Sequence, residues 1–79
     1  MRLVKYLKVS RLIKRRTLAQ EACAASRVEV NGRPQKPSYE VKTGDEILIR
    51  FGNKETRVRV LEIRETVRKE DAESMFEYL

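Results

Sequence analysis

The chain has no histidine and no tryptophan, a single cysteine, two prolines and three glycines, and no carboxylate among its first twenty residues. Each absence removes a class of chemistry. Without imidazole there is no Ser-His or Cys-His nucleophile, no base titrating near neutrality and no histidine ligand for a metal. One cysteine, Cys23, can neither close an internal disulfide nor build a zinc cage, which fits a reducing compartment. It falls in the apolar run Leu18, Ala19, Ala22, Cys23, where a small buried hydrophobe is expected rather than a reactive thiol. Neither a G-x-x-x-x-G-K-[ST] nor a G-x-G-x-x-G loop is present to cradle a nucleotide. The acids stand beside basic neighbours, as Glu62 does with Arg64 and Glu65 with Arg68, in the manner of solvated faces. An enzyme is not expected, nor a cofactor, a metal or a catalytic residue.

Long hydrophobic runs are missing too. No segment nears the roughly 18–20 apolar residues that cross a bilayer. Lysine and arginine interrupt the N-terminus every third residue, which breaks the apolar core of a secretory signal. A removable transit peptide is disfavoured because the basic segment runs without a linker into core helix. A cytoplasmic location is expected.

What is present is positive charge in one place. The formal net charge is +6, yet residues 1 to 20 alone hold seven Lys or Arg and no acid, while the remainder holds eleven against twelve. Such focusing creates a local field that attracts polyanions. At 79 residues the chain reads as one domain, spanning 1–79. A body of this size buries only about 60% of its unfolded surface, so a deep substrate pocket would be hard to support.

Leu3, Tyr6 or Leu7, and Val9 recur at helical spacing, with Arg2, Lys5 and Lys8 on another side. Ser10 ends this helix or caps the next, which covers about 15–25. Thr17 and Gln20 have capping-box spacing, and Arg15 and Arg16 compete for the same first turn. The period then changes to two at Val28-Glu29-Val30, and Asn31-Gly32 signals a tight turn. Ile47, Ile49 and Phe51 share one strand face. Gly52-Asn53 turns the chain into a run from Arg57 to Arg64, whose alternation slips between Val60 and Leu61 and predicts a bulge. Ala72, Met75, Phe76 and Leu79 predict an amphipathic helix over about 67–79. The order is two helices, three or four antiparallel strands and a closing helix, an α+β domain with helices over one face of a small sheet.

Lys14-Arg15-Arg16 lies near the start of the second helix, where unpaired N–H groups and the helix dipole also favour an anion. Arginine adds a planar fork of donors matched to phosphate oxygens. Tyr6 has two readings, stacking on an exposed base or packing beneath its helix. A membrane-surface helix would need a broader apolar face than this segment can spare. The residues alone lead to a small nucleic-acid-binding module.

The ordered set Arg2-Leu3-x-Lys5-x-Leu7, Ser10-Arg11, Arg16-x-x-Ala19, Val28-x-Val30-Asn31-Gly32, Pro37-Ser38 and Val41-x-x-Gly44-Asp45-x-Ile47 resembles the S4-type RNA-binding domain. The core of that resemblance runs over about 1–64. The closing segment from Lys69-Glu70-Asp71-Ala72 to Met75 resembles the free-standing S4 proteins of bacterial ribosome-associated quality control, relatives of the heat-shock S4 proteins. The resemblance implies a monomer that binds ribosomal RNA of a large subunit still obstructed by peptidyl-tRNA. It also implies support for a tailing factor of the NEMF/RqcH type, which adds C-terminal alanines to the stalled chain. Arg2 and Arg16 match positions of RNA-contacting arginines, and Lys5, Arg11, Lys14 and Arg15 add charge around them.

Three positions depart from the family's pattern. Val4 stands where an acid is usual, Ser26 where a glycine commonly ends the second helix, and Gln20 where lysine is frequent. Two other roles fit the sequence. One is a heat-shock-type rescue factor without a tailing role, and the other an adaptor that docks through Met75 and Phe76.

Overall fold

The computed structural model describes all 79 residues. Helix α1 (Leu3–Val9) and helix α2 (Arg16–Ala24) lead into strand β1 (Val28–Val30) and the short strand β2 (Arg33–Pro34). Strand β3 (Glu46–Phe51) and strand β4 (Lys54–Val60) follow, then a 3-10 helix (Lys69–Met75) and strand β5 (Phe76–Tyr78). The five strands form one antiparallel sheet in the order β2-β1-β3-β4-β5.

Alternation assigns the two sheet faces. Val28, Val30, Ile47, Ile49, Val58 and Val60 are buried in the core with Leu3, Tyr6, Leu7, Ala19, Ala22 and Cys23 of the helices. The positions between them lie on the other face and, Leu48 apart, carry charge: Glu29 pairs with Leu48 and Glu46 with Arg59. There Arg50 bridges Glu29 and Glu55 at 2.7 and 3.0 Å, and Arg59 bridges Glu77 and Glu46 at 2.9 and 3.6 Å. The charges of this face largely cancel, so the basic excess belongs to the helical side.

The Asn31-Gly32 turn is as expected. Both residues have positive φ, 53° and 84°, the requirement of a type I′ hairpin turn, and Val30 pairs directly with Arg33. Two expectations shift. Strand β4 stops at Val60, and the slip in alternation marks that end rather than a bulge: the N–H groups of Leu61 and Glu62 leave the ladder and both donate to the Met75 carbonyl. The closing helix is confined to Lys69–Met75 because Phe76–Tyr78 pairs with Val58–Val60 as an edge strand. A 3-10 turn brings Ala72 and Met75 to one side as an α-helix would, which is why the spacing read as one continuous helix. Leu79, expected on the apolar stripe, is half exposed, and so is Leu18 of α2.

Both N-terminal helices end on a left-handed residue that is not glycine, Arg11 at φ 64° and Ser26 at φ 59°. After α2 the Arg27 N–H donates to the Ala22 carbonyl and the Ser26 N–H to the Cys23 carbonyl, the bond pair of a Schellman cap. A β-carbon in that conformation is strained, whereas glycine is not. Replacing Ser26 by glycine is therefore expected to stabilise the protein by about 0.5–1 kcal/mol, a rise in Tm of about 4 °C. Thermal denaturation checks this, and an unchanged Tm would mean that the cap is not strained.

Candidate nucleic-acid interface

Helix α1 has one apolar and one basic side. Leu3, Val4, Tyr6 and Leu7 are buried, while Lys5 between them and Lys8 after them are exposed. Tyr6 is fully buried and its hydroxyl donates to the Met75 carbonyl at 2.8 Å, so it packs beneath the helix and is not a base-stacking platform. Burial pushes its phenol well above the ordinary tyrosine range. The Cys23 thiol is likewise buried and pushed up to about 11, which leaves it protonated and inert near neutrality.

No side chain caps the start of α1. Instead the Leu3 and Val4 N–H groups donate to the Tyr39 and Pro37 carbonyls at 2.7 and 3.1 Å. Main-chain bonds thereby satisfy two donors that an isolated helix would leave open. They also fix Arg2, the residue preceding the helix, beside the segment 36–40. At the other end, Ser10 closes α1 and Arg11 takes the left-handed cap, with its N–H donating to the Lys8 carbonyl at 3.0 Å. A left-handed arginine is a strained choice where glycine would relax the chain, and it lies on the basic face.

Helix α2 begins at Arg16, with Arg15 in extended conformation before it, no side-chain cap and no acid in its first turn. The capping-box alternative, Thr17 with Gln20, is thus not used. Cations at a helix N-terminus oppose the local dipole and are unfavourable unless an anion joins them.

These elements form a groove of about 660 Å³ lined by Arg2, Lys5, Lys8, Val9, Arg11, Lys14 and Arg16 on the helical side and by Glu65, Thr66 and Val67 of the connection after β4. Five of the expected site residues, Arg2, Lys5, Arg11, Lys14 and Arg16, thus come together. Arg15 is exposed but does not line the groove. Lys8 does line it, at the i+3 spacing from Lys5 that already marked the basic side of α1.

A second concavity of about 300 Å³ adjoins the first, lined by Arg2, Val4, Arg16, Gln20, Lys36, Pro37 and Ser38. Arg2 and Arg16 belong to both and form the saddle between them. Lys36 had no signal in the sequence, because only the bonds from Leu3 and Val4 to the 37–39 segment bring it to Arg2.

Of the six groove cations only Lys5 has an internal counter-ion, Glu65; the other five form no salt bridge. Val4 is buried in the core and supplies no counter-ion for Arg2 or Arg16. Unpaired guanidinium and ammonium groups in a shallow groove are poised for phosphate oxygens. No helix of the protein is long and apolar enough to cross a membrane.

Comparison with known proteins bears on the family and the fold. Residues 1–47 match the model of the S4 domain. The chain is 56% identical over 77 residues to the RQC P-site tRNA stabilizing factor of Halalkalibacterium halodurans, covering 98% of this chain and 88% of the relative. It is 52% identical over 79 residues to the protein of the same name in Bacillus subtilis, covering 100% and 92%. Among solved structures, heat shock protein 15 of Vibrio cholerae, described as trimeric, superposes with a TM-score of 0.92 at 30% identity, covering 100% of this chain and 81% of that one. The solution structure of a hypothetical protein, HP1423, superposes with a TM-score of 0.85 at 32% identity, covering 100% and 96%.

Proposed function

Because the chain belongs to the S4 domain family, among the RQC P-site tRNA stabilizing factors, we propose that it is a non-enzymatic RNA-binding factor of ribosome-associated quality control acting with P-site tRNA. The observation that carries this reading is the groove formed by the α1–α2 segment and residues 65–67, in which five cations lack internal partners. In this reading residues 1–79 act as a single S4-type unit and as a monomer. It binds ribosomal RNA of a large subunit obstructed by peptidyl-tRNA, and so supports alanine tailing by a factor of the NEMF/RqcH type.

The mechanism is positional. The sheet holds the two helices at a fixed angle, and the helices hold Arg2 and Arg16 on a common saddle. RNA phosphates that meet those donors in a preset arrangement lose little freedom of the protein on binding. Binding energy then stabilises the tRNA-occupied state over the empty one, by as much as the factor's affinities for the two differ. Docking through Met75 and Phe76 is not part of this reading, since both are buried in the core.

Fractionation of ribosomes on a density gradient tests the assignment. The protein is expected with free large subunits that retain peptidyl-tRNA. Recovery only in the ribosome-free fractions would sink it. The likeness to heat shock protein 15 favours a second role, rescue of the same subunit without tailing. Loss of alanine tails on stalled chains when the gene is deleted supports the first role, and unchanged tails support the second.

A further inference from the structure

The basic groove has two unlike walls. The helical wall carries six cations and no acid, with Val9 as its one apolar member, whereas residues 65–67, in the connection after β4, present a carboxylate, a hydroxyl and an apolar side chain. Glu65 is the one acid in the groove, and its carboxylate accepts a hydrogen bond from the Lys5 ammonium. That bond, and next the charge of Lys5, holds the Glu65 carboxyl below the usual carboxylate range, so it is ionised at neutral pH. A surface built only to attract phosphate would not place an anion there, because the carboxylate both occupies a cation and repels a nearby polyanion.

A nucleic-acid strand in such a groove turns its phosphates to the helical wall and its sugars toward residues 65–67. On the sugar side RNA carries a donor that DNA lacks, the 2′-hydroxyl. An ionised carboxylate can only accept hydrogen bonds, so it pairs with a hydroxyl and disfavours a phosphate. Thr66 beside it can donate or accept, and Val67 offers an apolar contact. Resting on the RNA-binding reading above, we propose that Glu65 is a specificity-determining residue that accepts a hydrogen bond from a ribose 2′-hydroxyl and selects RNA over DNA.

The test compares Glu65→Ala, Glu65→Gln and the wild-type protein for binding to an RNA hairpin and to a DNA hairpin of the same sequence, over a range of salt. Glu65 is exposed and lies outside regular secondary structure, so neither variant should disturb folding. In Glu65→Ala the loss of repulsion favours RNA and DNA alike, whereas the loss of the acceptor penalises RNA alone. The ratio of the two affinities is expected to fall about five- to tenfold. Freeing Lys5 should steepen the salt slope for both nucleic acids by about 0.7–0.9. Glu65→Gln keeps an acceptor oxygen without the charge, and its ratio should lie between the other two. An unchanged ratio in Glu65→Ala, or a wild-type protein that binds RNA and DNA alike, overturns the inference and leaves the RNA-binding reading standing. A wild-type protein that binds no RNA overturns both.

Discussion

Replacing Arg2 and Arg16 together by alanine is expected to lower affinity for an RNA hairpin by at least about 100-fold at fixed salt, with the fold unchanged. Each guanidinium can make charge-assisted hydrogen bonds to phosphate worth about 1.5–3 kcal/mol, and each neutralised phosphate releases counter-ions. Losing two contacts should flatten the log–log salt slope by about 1.4–1.8. Stability should be unaffected because both side chains are exposed, neither forms a salt bridge, and main-chain carbonyls rather than Arg2 satisfy the start of α1. Arg15→Ala supplies the control. It removes the same unit of charge from the same stretch but outside both concavities, and its effect should stay within about threefold. If Arg15→Ala weakens binding as much as loss of Arg2 or Arg16, binding reads net charge and the groove has no special role. Single variants at Arg2 and Arg16 complete a cycle, and coupling between them is expected because they share the saddle.

The legible parts of this protein were those carried by local pattern. The apolar period of Leu3, Tyr6 and Leu7 placed α1, and the absence of acids before Glu21 placed its basic face. Asn31-Gly32 placed the first hairpin, since positive φ at both residues is a demand that few other pairs meet. The spacing of the tail predicts a helix because Ala72, Met75 and Phe76 suit two geometries, a helical stripe and a 3-10 turn that passes into a strand. Nothing local separates them; the choice is made by the free edge of β4, which pairs with Phe76–Tyr78. Likewise Leu61 and Ile63 continue the hydrophobicity of β4 without continuing the strand. In the two concavities, the residues without a local signal are those brought in by closure of the chain. Lys36 arrives through bonds between the first turn of α1 and the 37–39 segment, and Glu65 meets Lys5 from sixty residues away. Ser26 was legible as a departure from glycine, and its φ of 59° supplies the physical reason for the usual residue.

Asp45 carries the largest expected effect on stability, and its role shows what part of the recognisable motif is scaffold. The residue is buried and has no cationic partner, yet its carboxylate accepts three hydrogen bonds. Asn31 Nδ2 donates to Oδ1 at 3.0 Å, while the Tyr39 hydroxyl and the Lys42 N–H donate to Oδ2 at 3.2 and 2.9 Å. Asn31 in turn accepts the Glu46 N–H on Oδ1 at 3.0 Å, which ties the β1–β2 turn to the start of β3. Burial first, and then the charge and hydrogen bond of Asp45, raise the Tyr39 phenol above its ordinary 10.0. That contribution is complete below pH 10 and is lost as pH rises through the folded value, so the network is intact at neutrality.

Asp45→Ala strands three donors and is expected to cost about 3 kcal/mol, a fall in Tm of about 15 °C. Asp45→Asn fares better but sets its own amide N–H against that of Asn31, a donor facing a donor. Rotating the Asn31 amide would relieve this only by breaking the bond from Glu46. The exchange Asn31→Asp with Asp45→Asn restores a donor–acceptor pair and leaves an acceptor for Glu46. The double variant should therefore recover most of the stability lost in Asp45→Asn, a coupling that thermal denaturation of the four proteins measures. Full additivity of the two changes would mean that the side chains do not act as a pair. RNA affinity measured well below each Tm should be unchanged throughout, because none of these residues lines the basic groove. Loss of affinity in well-folded Asp45→Asn would instead tie the turn network to the RNA surface.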